Sequence, residues 1–304
     1  MKLLAVSSSP HIRDNACTRT IMQDVLIALL PALAMSVYNF GFQALLVTVV
    51  CVVCAVGSEF LFEIGVKRPV TVTDLSAAVT GVLLAFCLPV SIPLWIAGLG
   101  SVIAIVVVKQ LFGGIGENFA NPAATARIIL LVSFGTAMTS WTVDGISSAT
   151  PLGIMKEATA GGLPSPMDML LGRHAGSLGE TCAIALLLGG VYLIVRKVIT
   201  WHIPVAYIGS VAIFALIAGQ DLTYQLMGGG LLLGAIFMAT DYSTSPATSL
   251  GKLIYGVGCG LLTMVIRTWG SSPEGVSYAI LLMNIVTPHI DNLTRHKPLG
   301  GDVK

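Results

Sequence analysis

Long apolar stretches separated by short polar breaks dominate the chain. Pro, Gly and charged residues divide these stretches into ten runs. The runs cover residues 22–39, 41–62, 72–89, 93–111, 119–134, 180–195, 203–219, 225–240, 251–268 and 275–290. Because a helix needs about 20 apolar residues to cross a bilayer, ten spans would use roughly 200 residues and leave the rest for loops and ends. The pattern predicts an all-α integral membrane protein with about ten transmembrane helices.

Three details of the runs qualify this picture. The fifth run opens with Asn121-Pro122 and contains Arg127, which favours a broken or re-entrant segment. The eighth is rich in Gly at 228–230, which suits close contact between helices. Cys51 and Cys54 have the spacing of a metal or redox pair, but they lie within an apolar run and have no second pair. We therefore predict no metal site.

The two halves of the chain resemble each other weakly. Residues 73–84 begin with a polar turn and continue into a short apolar segment, and residues 222–233 do the same in the second half. Further along each half, a glutamate stands at the start of another apolar segment: Glu117 in the first half and Glu274 in the second. Five spans, an outer loop and five more spans would place the halves in opposite orientations, with function near their interface. We expect two inverted five-helix repeats at 22–134 and 180–290. Residues 1–21, 135–179 and 291–304 would form the N-terminal segment, the connecting loop and the tail.

Composition and charge support a membrane location and give an orientation. Apolar residues make up 55% of the chain and charged residues 10%, whereas soluble domains carry about 25% charged residues. A net charge of +1 gives no electrostatic basis for binding nucleic acid. With alternating spans, twelve Lys and Arg residues fall on the side of the termini and three on the other side. The positive-inside rule then predicts cytoplasmic termini and an outward-facing loop at 135–179.

The segment from Asp144 to Leu152 lies in that loop and allows two interpretations. By local chemistry alone it is a turn, or a Ser/Thr cap before a short helix. It also resembles an Asp-x-x-Ser-Gly-Ala-Thr motif at which a flavin transferase joins FMN to a threonine hydroxyl through a phosphoester. The matching positions here are Asp144, Ser147, Ser148, Ala149 and Thr150. Ser148 stands where that motif usually has Gly, and we expect the Thr150 hydroxyl to be exposed and flexible so that the transferase can reach it.

Other segments extend the resemblance over nearly the whole chain. Ser9-Pro10-His11, the stretch from Phe112 to Ala123, Asp241 to Pro246, and Ser272 to Gly275 occur in the order found in the D subunits of Rnf complexes. The B subunit of the sodium-pumping NADH:quinone reductase is similar but has a longer N-terminal region. Only about 21 residues precede the first apolar run here, so the family of Rnf D subunits is favoured.

The resemblance implies a membrane flavoprotein in an ion-translocating ferredoxin:NAD⁺ oxidoreductase of a bacterial or archaeal cytoplasmic membrane. It implies covalent FMN on Thr150, electron relay coupled to Na⁺ or H⁺ movement, and a second, non-covalent flavin such as riboflavin in some relatives. Expected partners are the other Rnf subunits, a flavin transferase and membrane lipid. No catalytic residue is predicted in this chain, and no complete activity is expected from it alone.

Carboxylates in or beside apolar runs are candidates for an ion pathway, because burying one at a helix centre costs about 2.5–3.5 kcal/mol on insertion scales. The candidates are Asp74, Glu117, Asp241, Glu274 and Asp291. Asp74 resembles an acidic position proposed for sodium entry in the related pump. Local capping at a helix end is the favoured explanation of Asp241 and Asp291, and Glu117 could simply pair with Arg127. We interpret Glu59 and Glu63, next to a Lys-Arg turn, as a solvated face.

Two other classes of protein fit the hydropathy without redox chemistry. A solute channel or transporter would use the inverted repeats and bind no flavin. A structural anchor for other subunits would tolerate any residue at Thr150. The segment from Ser147 to Thr150, together with the order of the other segments, favours the redox subunit.

Overall fold

The computed structural model describes residues 17–143, 146–157, 163–270 and 274–295. Its long helices are α1 (Thr18–Phe40), α2 (Phe42–Gly65), α3 (Ser76–Phe86), α4 (Leu94–Val102), α5 (Pro122–Ser133), α9 (Ala183–Val195), α10 (His202–Ile217), α13 (Ser249–Trp269) and α14 (Val276–Thr294). Its short helices are α6 (Gly135–Met138), α7 (Pro151–Glu157), α8 (Pro166–Leu171), α11 (Leu222–Met227) and α12 (Leu231–Leu233). A π-helix at Ile103–Lys109 continues α4, and another at Gly234–Met238 continues α12.

The described chain is helical apart from turns and one small hairpin. Strands β1 (Thr142–Val143) and β2 (Ile146–Ser147) pair antiparallel, with Thr142 opposite Ser147. The predicted all-α class is confirmed, and this hairpin of two-residue strands is its one departure among the described residues. Short 3₁₀ turns stand at Val72–Asp74 and Gln110–Phe112. Each predicted apolar run coincides with helix, although the eighth is split between α11 and α12.

Several helices have the length and composition of membrane spans. Within the described ranges, four are long and apolar enough to cross a bilayer: α1, α2, the continuous helix Leu94–Phe112, and α13. Four shorter apolar helices accompany them in the same ranges, namely α3, α5, α9 and α10. Large apolar side chains such as Leu30, Leu61 and Ile217 point outward. Exposing so many apolar groups to water is unfavourable and rare in soluble proteins. Together with the helix lengths, this exposure indicates that the chain is a multi-pass membrane protein.

Two helical segments, α3 and the one that begins with α12, lie almost entirely inside the molecule. All but one residue of α3 is buried, and Gly81 allows its backbone to reach α2, where an added Cβ would lie 2.8 Å from Val52 Cα. The segment from α12 through its π-helix is likewise buried. Both begin after a residue in the left-handed region: Leu75 has φ 66° and Gly230 has φ 69°. Close packing of small residues is the usual way in which membrane helices approach each other.

The chain before α9 folds back into this core. Leu178 and Gly179 donate backbone hydrogen bonds to the carbonyls of Leu88 and Phe86, at 3.0 and 2.9 Å. Phe86 is the last residue of α3 and Leu88 lies two residues beyond it, and carbonyls at a helix end have no intrahelical donor. Ser36 on α1 donates to the carbonyl of Leu178. Part of the segment predicted as an outer loop is therefore built into the helical core.

Candidate functional site

Thr150 stands at the start of α7, beside the β-hairpin. Its hydroxyl oxygen accepts a hydrogen bond from the Gly153 amide at 3.2 Å, and its carbonyl accepts one from the Ile154 amide at 2.9 Å. The hairpin returns the chain so that the Ser148 amide donates to the carbonyl of Trp141 at 3.0 Å. Thr150 therefore caps a short helix, as the local interpretation of the sequence allowed.

The surroundings of Thr150 differ from the expectation of an exposed hydroxyl. Only 6% of Thr150 is exposed, so that prediction is wrong for this structure. Ser148 and Ala149 just before it are exposed. Asp144 lies outside the described residues, and of Ser147 only the backbone in β2 is described. The motif thus leads from an exposed pair of small residues to a buried, hydrogen-bonded threonine.

A cavity of about 250 Å³ lies beside α7. Its walls come from α7, from α13 and from the region of α11, with the residues Leu152, Met155, Lys156, Gln220, Gln225, Arg267 and Thr268. Arg267 donates to the carbonyl and the side-chain oxygen of Gln225 at 2.6 and 2.9 Å, and to the Gly228 carbonyl at 2.9 Å. These bonds hold the guanidinium against the turn between α11 and α12. The only trace of this arrangement in the sequence is an Arg near the end of an apolar run.

A buried ion pair joins α5 to the start of α14. Arg127 forms it with Glu274, and also donates to Ser277 at 2.9 Å and to the Cys87 carbonyl at 3.2 Å. Both charged residues are buried. The sequence left open a pair between Arg127 and Glu117, and that interpretation is wrong because Arg127 pairs with Glu274 and Glu117 is exposed. The pair links the two halves of the chain across the end of α3.

A second set of buried charges surrounds the start of α3. Lys109 Nζ lies 2.6 Å from Glu59 Oε1 and 2.5 Å from Ser76 Oγ. Asp74 accepts from the backbone amide and the hydroxyl of the same Ser76, at 2.8 and 2.6 Å. Gln110 donates to Glu59 at 2.8 Å. We call Glu59, Asp74, Ser76, Lys109 and Gln110 the Glu59–Lys109 cluster.

This cluster corrects the interpretation of two carboxylates. Glu59 is fully buried and Glu63 is 2% exposed, so the prediction of a solvated face is wrong for both. Glu63 accepts from the Thr71 amide at 2.9 Å. The signal that could have found the cluster is Lys109 at the end of an apolar run, because a cation buried there needs a carboxylate from another helix.

A small cavity of about 100 Å³ adjoins the Glu59–Lys109 cluster. Its polar part is lined by Ser76, Lys109, Asn118, Asn121 and Asp241, and apolar side chains of other helices line most of the rest. Asp241 accepts from Ser243 and Thr244 at 3.2 and 3.3 Å. A water needs about 10–15 Å³ of such space, so the cavity has room for a few waters or a partly hydrated ion. Carboxylate, hydroxyl and amide oxygens are the ligands that hard cations prefer.

The predicted ion-pathway residues do not all meet at this cavity. Asp241 lines it and Asp74 reaches it through Ser76. Asp291 instead accepts from the Ala247 amide at 3.0 Å, which fastens α14 to the segment before α13. Glu274 belongs to the pair with Arg127, and Glu117 is exposed.

Comparison with known proteins is consistent along the whole chain. Residues 5–300 match the model of the NQR2, RnfD, RnfE family. The chain is 50% identical to the D subunit of the Na(+)-translocating ferredoxin:NAD(+) oxidoreductase complex of Acetobacterium woodii, over 98% of this chain and 95% of that protein. It is 44% identical to the D subunit of the Proton-translocating ferredoxin:NAD(+) oxidoreductase complex of Clostridium ljungdahlii, over 98% and 96%. It is 37% identical to the D subunit of the Ion-translocating oxidoreductase complex of Alcanivorax borkumensis, over 98% and 97%. The chain therefore belongs to the NQR2, RnfD, RnfE family, on the side of the Rnf D subunits.

Proposed function

We propose that this chain is the membrane flavoprotein of the RnfD type in an ion-translocating ferredoxin:NAD⁺ oxidoreductase, with FMN joined to Thr150 through a phosphoester. The observation that carries the proposal is the motif ending at Thr150 in a chain whose family membership covers residues 5–300. The relatives from Acetobacterium woodii and Clostridium ljungdahlii are named as subunits of complexes of this type. When bound, FMN supplies one- and two-electron transfer, and this chain supplies its attachment and surroundings.

The local structure limits how the flavin can be attached to two courses. The Thr150 hydroxyl is buried and accepts from the Gly153 amide. A transferase must reach that hydroxyl, so the segment from Ser148 to Gly153 has to open, or the flavin has to be attached before the segment packs. Exposed Ser148 and Ala149 give an enzyme a place to engage the chain. Ser148 in place of Gly keeps the position small.

The ion pathway is proposed at the start of α3. The cavity lined by Asp241 and Lys109 lies next to the Glu59–Lys109 cluster, in which Asp74 is half-buried. Charges buried in this way are expensive and usually functional in membrane proteins. Among the other candidates, Glu274 and Asp291 would act by holding α14 in place, and exposed Glu117 would meet ions at the surface. The coupling ion is Na⁺ or H⁺, since two of the relatives given above carry different ions in their names.

The proposed topology has ten spans in two inverted repeats, cytoplasmic termini and the Thr150 segment outside. It is supported by the matching left-handed starts of α3 and α12, and by Glu117 and Glu274 standing before α5 and α14. The partners would be the other Rnf subunits and a flavin transferase, in a bacterial or archaeal cytoplasmic membrane. A second, non-covalent flavin such as riboflavin stays a prediction of the resemblance, and we assign it no site.

The test is covalent flavin on the full chain. The chain is co-expressed with a flavin transferase and run on a denaturing gel under ultraviolet light, beside Thr150→Val and the matched control Thr139→Val. A fluorescent band is expected in the wild type and the control and is lost in Thr150→Val. A role like that of the B subunit in a sodium-pumping NADH:quinone reductase would give the same band, and assembly with Rnf partners separates the two. A channel, transporter or anchor predicts no band in any lane, with transferase activity shown on another substrate.

A further inference from the structure

The cavity beside α7 has a cationic and polar wall. Lys156 and Arg267 line it together with Gln220, Gln225 and Thr268, while Leu152 and Met155 supply its apolar part. No carboxylate is among the lining residues that the structure describes. A cavity with this composition suits a partly apolar group that carries negative charge or hydrogen-bond acceptors at one edge.

Arg267 brings a positive charge to this wall without direct neutralisation. It is 5% exposed, and both terminal nitrogens donate to neutral oxygens of Gln225 and Gly228. Among the residues that the structure describes, no carboxylate pairs with it, and its Nε has no hydrogen-bond partner. A buried cation ordinarily needs a compensating charge. Among the described residues, the guanidinium therefore has one unused donor, at Nε, and no carboxylate in direct contact.

The nearby carboxylates are directed elsewhere. Glu274 pairs with Arg127, and Glu180 accepts from Ser177. Glu180 does lie near the turn that Arg267 contacts, because a Cβ added at Gly230 would stand 3.3 Å from its Oε2. Its charge thus acts on Arg267 at a distance but does not enter the cavity.

Lys156 supplies the second cation and relates the cavity to Thr150. It lies on α7 six residues after Thr150, which is about 9 Å along a helix at 1.5 Å per residue. Its ammonium donates to the Gly270 carbonyl at the end of α13. The ribityl chain of a flavin held at Thr150 is flexible and of similar reach. The cavity, at about 250 Å³, is smaller than the roughly 300–1,000 Å³ that enclose whole ligands, so it suits one edge of a ring system.

We propose that this cavity receives the pyrimidine edge of the flavin carried on Thr150, and that Lys156 and Arg267 stabilise the negative charge on that edge when the flavin is reduced. The inference rests on the proposed function and adds to it the residues that tune the flavin. Reduction places negative charge on N1 and the neighbouring C2 carbonyl, and charges near N1 are a principal means by which a protein adjusts a flavin. Lys156 and Arg267 are thus positioning and tuning residues.

The experiment uses sulfite as a probe of charge at this edge. Sulfite adds its lone pair to N5 of oxidised flavin, forming an N–S bond and moving an electron pair onto N1 and the C2 carbonyl, so no other reactant is needed. The full chain, co-expressed with flavin transferase and purified in detergent, is titrated with sulfite by the bleaching of the flavin absorbance. The variants are Lys156→Gln, Arg267→Lys and Arg267→Gln, with Lys252→Gln, near the opposite end of α13, as the control.

We expect Lys156→Gln to weaken sulfite binding about tenfold, which corresponds to about 1.4 kcal/mol. Arg267→Lys should retain most of the affinity and Arg267→Gln should lose at least as much as Lys156→Gln, while Lys252→Gln stays at the wild-type value. Because Arg267 also holds the α11–α12 turn, the exposed Lys156 provides the decisive variant. If Lys156→Gln binds sulfite within twofold of the wild-type affinity, and its in-gel flavin fluorescence equals that of the wild type, this inference is overturned and the proposed function is not affected. Absence of covalent flavin from the wild type overturns the proposed function and this inference with it.

Discussion

The buried pair of Glu59 and Lys109 makes a quantitative prediction about the stability of the core. Lys109 is 3% exposed and Glu59 fully buried, and their charged atoms are 2.6 Å apart. Removing one partner of a buried pair costs about 3–5 kcal/mol, because the other charge stays uncompensated. Replacing both with neutral residues of similar size removes that penalty. Lys109→Met and Glu59→Gln should therefore each destabilise the chain strongly, and the double variant much less than their sum.

The structure sets the size of the coupling. In Lys109→Met, Glu59 Oε1 keeps only Gln110 at 2.8 Å, and Oε2 has no partner among the described residues. In Glu59→Gln, Lys109 keeps the Ser76 hydroxyl at 2.5 Å and a neutral amide oxygen at position 59, but it loses its compensating charge. Both single variants leave one buried charge with only neutral hydrogen-bond partners among these residues, so an interaction energy at the upper end of the roughly 0.5–3 kcal/mol range seen for contacting residues is expected.

The assay is thermal unfolding of the detergent-purified full chain, measured for the wild type, both single variants and the double variant. Lys67→Met, in the turn after α2, is the control for loss of one cation and should unfold at the same temperature as the wild type. The reasoning is refuted if the two single effects add within about 0.5 kcal/mol, which is the behaviour of independent sites. It is also refuted if Lys109→Met has no effect, since a buried Glu59 would then not depend on its partner.

Three further predictions address the loop, the attachment site and the ion pathway. Gly179→Ala should destabilise the chain by at least the roughly 1–3 kcal/mol typical of overpacking, because a Cβ there would overlap the Phe86 side chain. The control Gly57→Ala has open space around the added Cβ and should unfold at the same temperature as the wild type. Purified, folded apo chain should accept FMN at Thr150 more slowly than chain co-expressed with the transferase, since the hydroxyl is buried; equal yields and rates in a time course of in-gel fluorescence would contradict this. In vesicles containing the whole complex, Asp241→Asn should slow ferredoxin-driven ion uptake at least about tenfold, because a carboxylate that lines the cavity is lost. The covalent flavin should be retained, and an unchanged rate of uptake would show that Asp241 is not part of the pathway.

The helices were predictable from sequence because burial in lipid leaves little choice. Apolar side chains are stable in the bilayer core, but lipid cannot form hydrogen bonds with backbone N–H and C=O groups. Apolar runs therefore form helices, which satisfy these groups internally and end at Pro, Gly and charged residues. This reasoning places α1, α2, α13 and α14 within a few residues of their observed bounds. It fails at the eighth run, where Gly228 to Gly230 form a turn between two helical pieces. Hydropathy cannot separate one long helix from two short ones joined at a buried turn.

Side-chain partners were much less predictable. Glu59 and Lys109 are 50 residues apart, and Arg127 and Glu274 are 147 apart. Their pairing depends on which helices meet, and the chain alone gives only the rule that a buried charge needs a partner. Nearness in sequence suggested Glu117 for Arg127 and water for Glu59, and both suggestions are wrong. The exposure of Thr150 was mispredicted for a related reason: the motif indicates chemistry, while burial depends on how the neighbouring loop packs.

The geometry of α3 bears on how a flavin at Thr150 could act on an ion site. The Glu59–Lys109 cluster lies at the start of α3, and the loop with Leu178 and Gly179 packs at its end, about 16 Å away for 11 helical residues. The Arg127–Glu274 pair also contacts that end, through the Cys87 carbonyl. A charge change on the flavin would act through Arg267 and the turn before α12, and α12 is buried in the same core as α3. A shift of these buried helices against each other would alter the cavity at Asp241, which supplies a physical route for coupling without direct contact between flavin and ion.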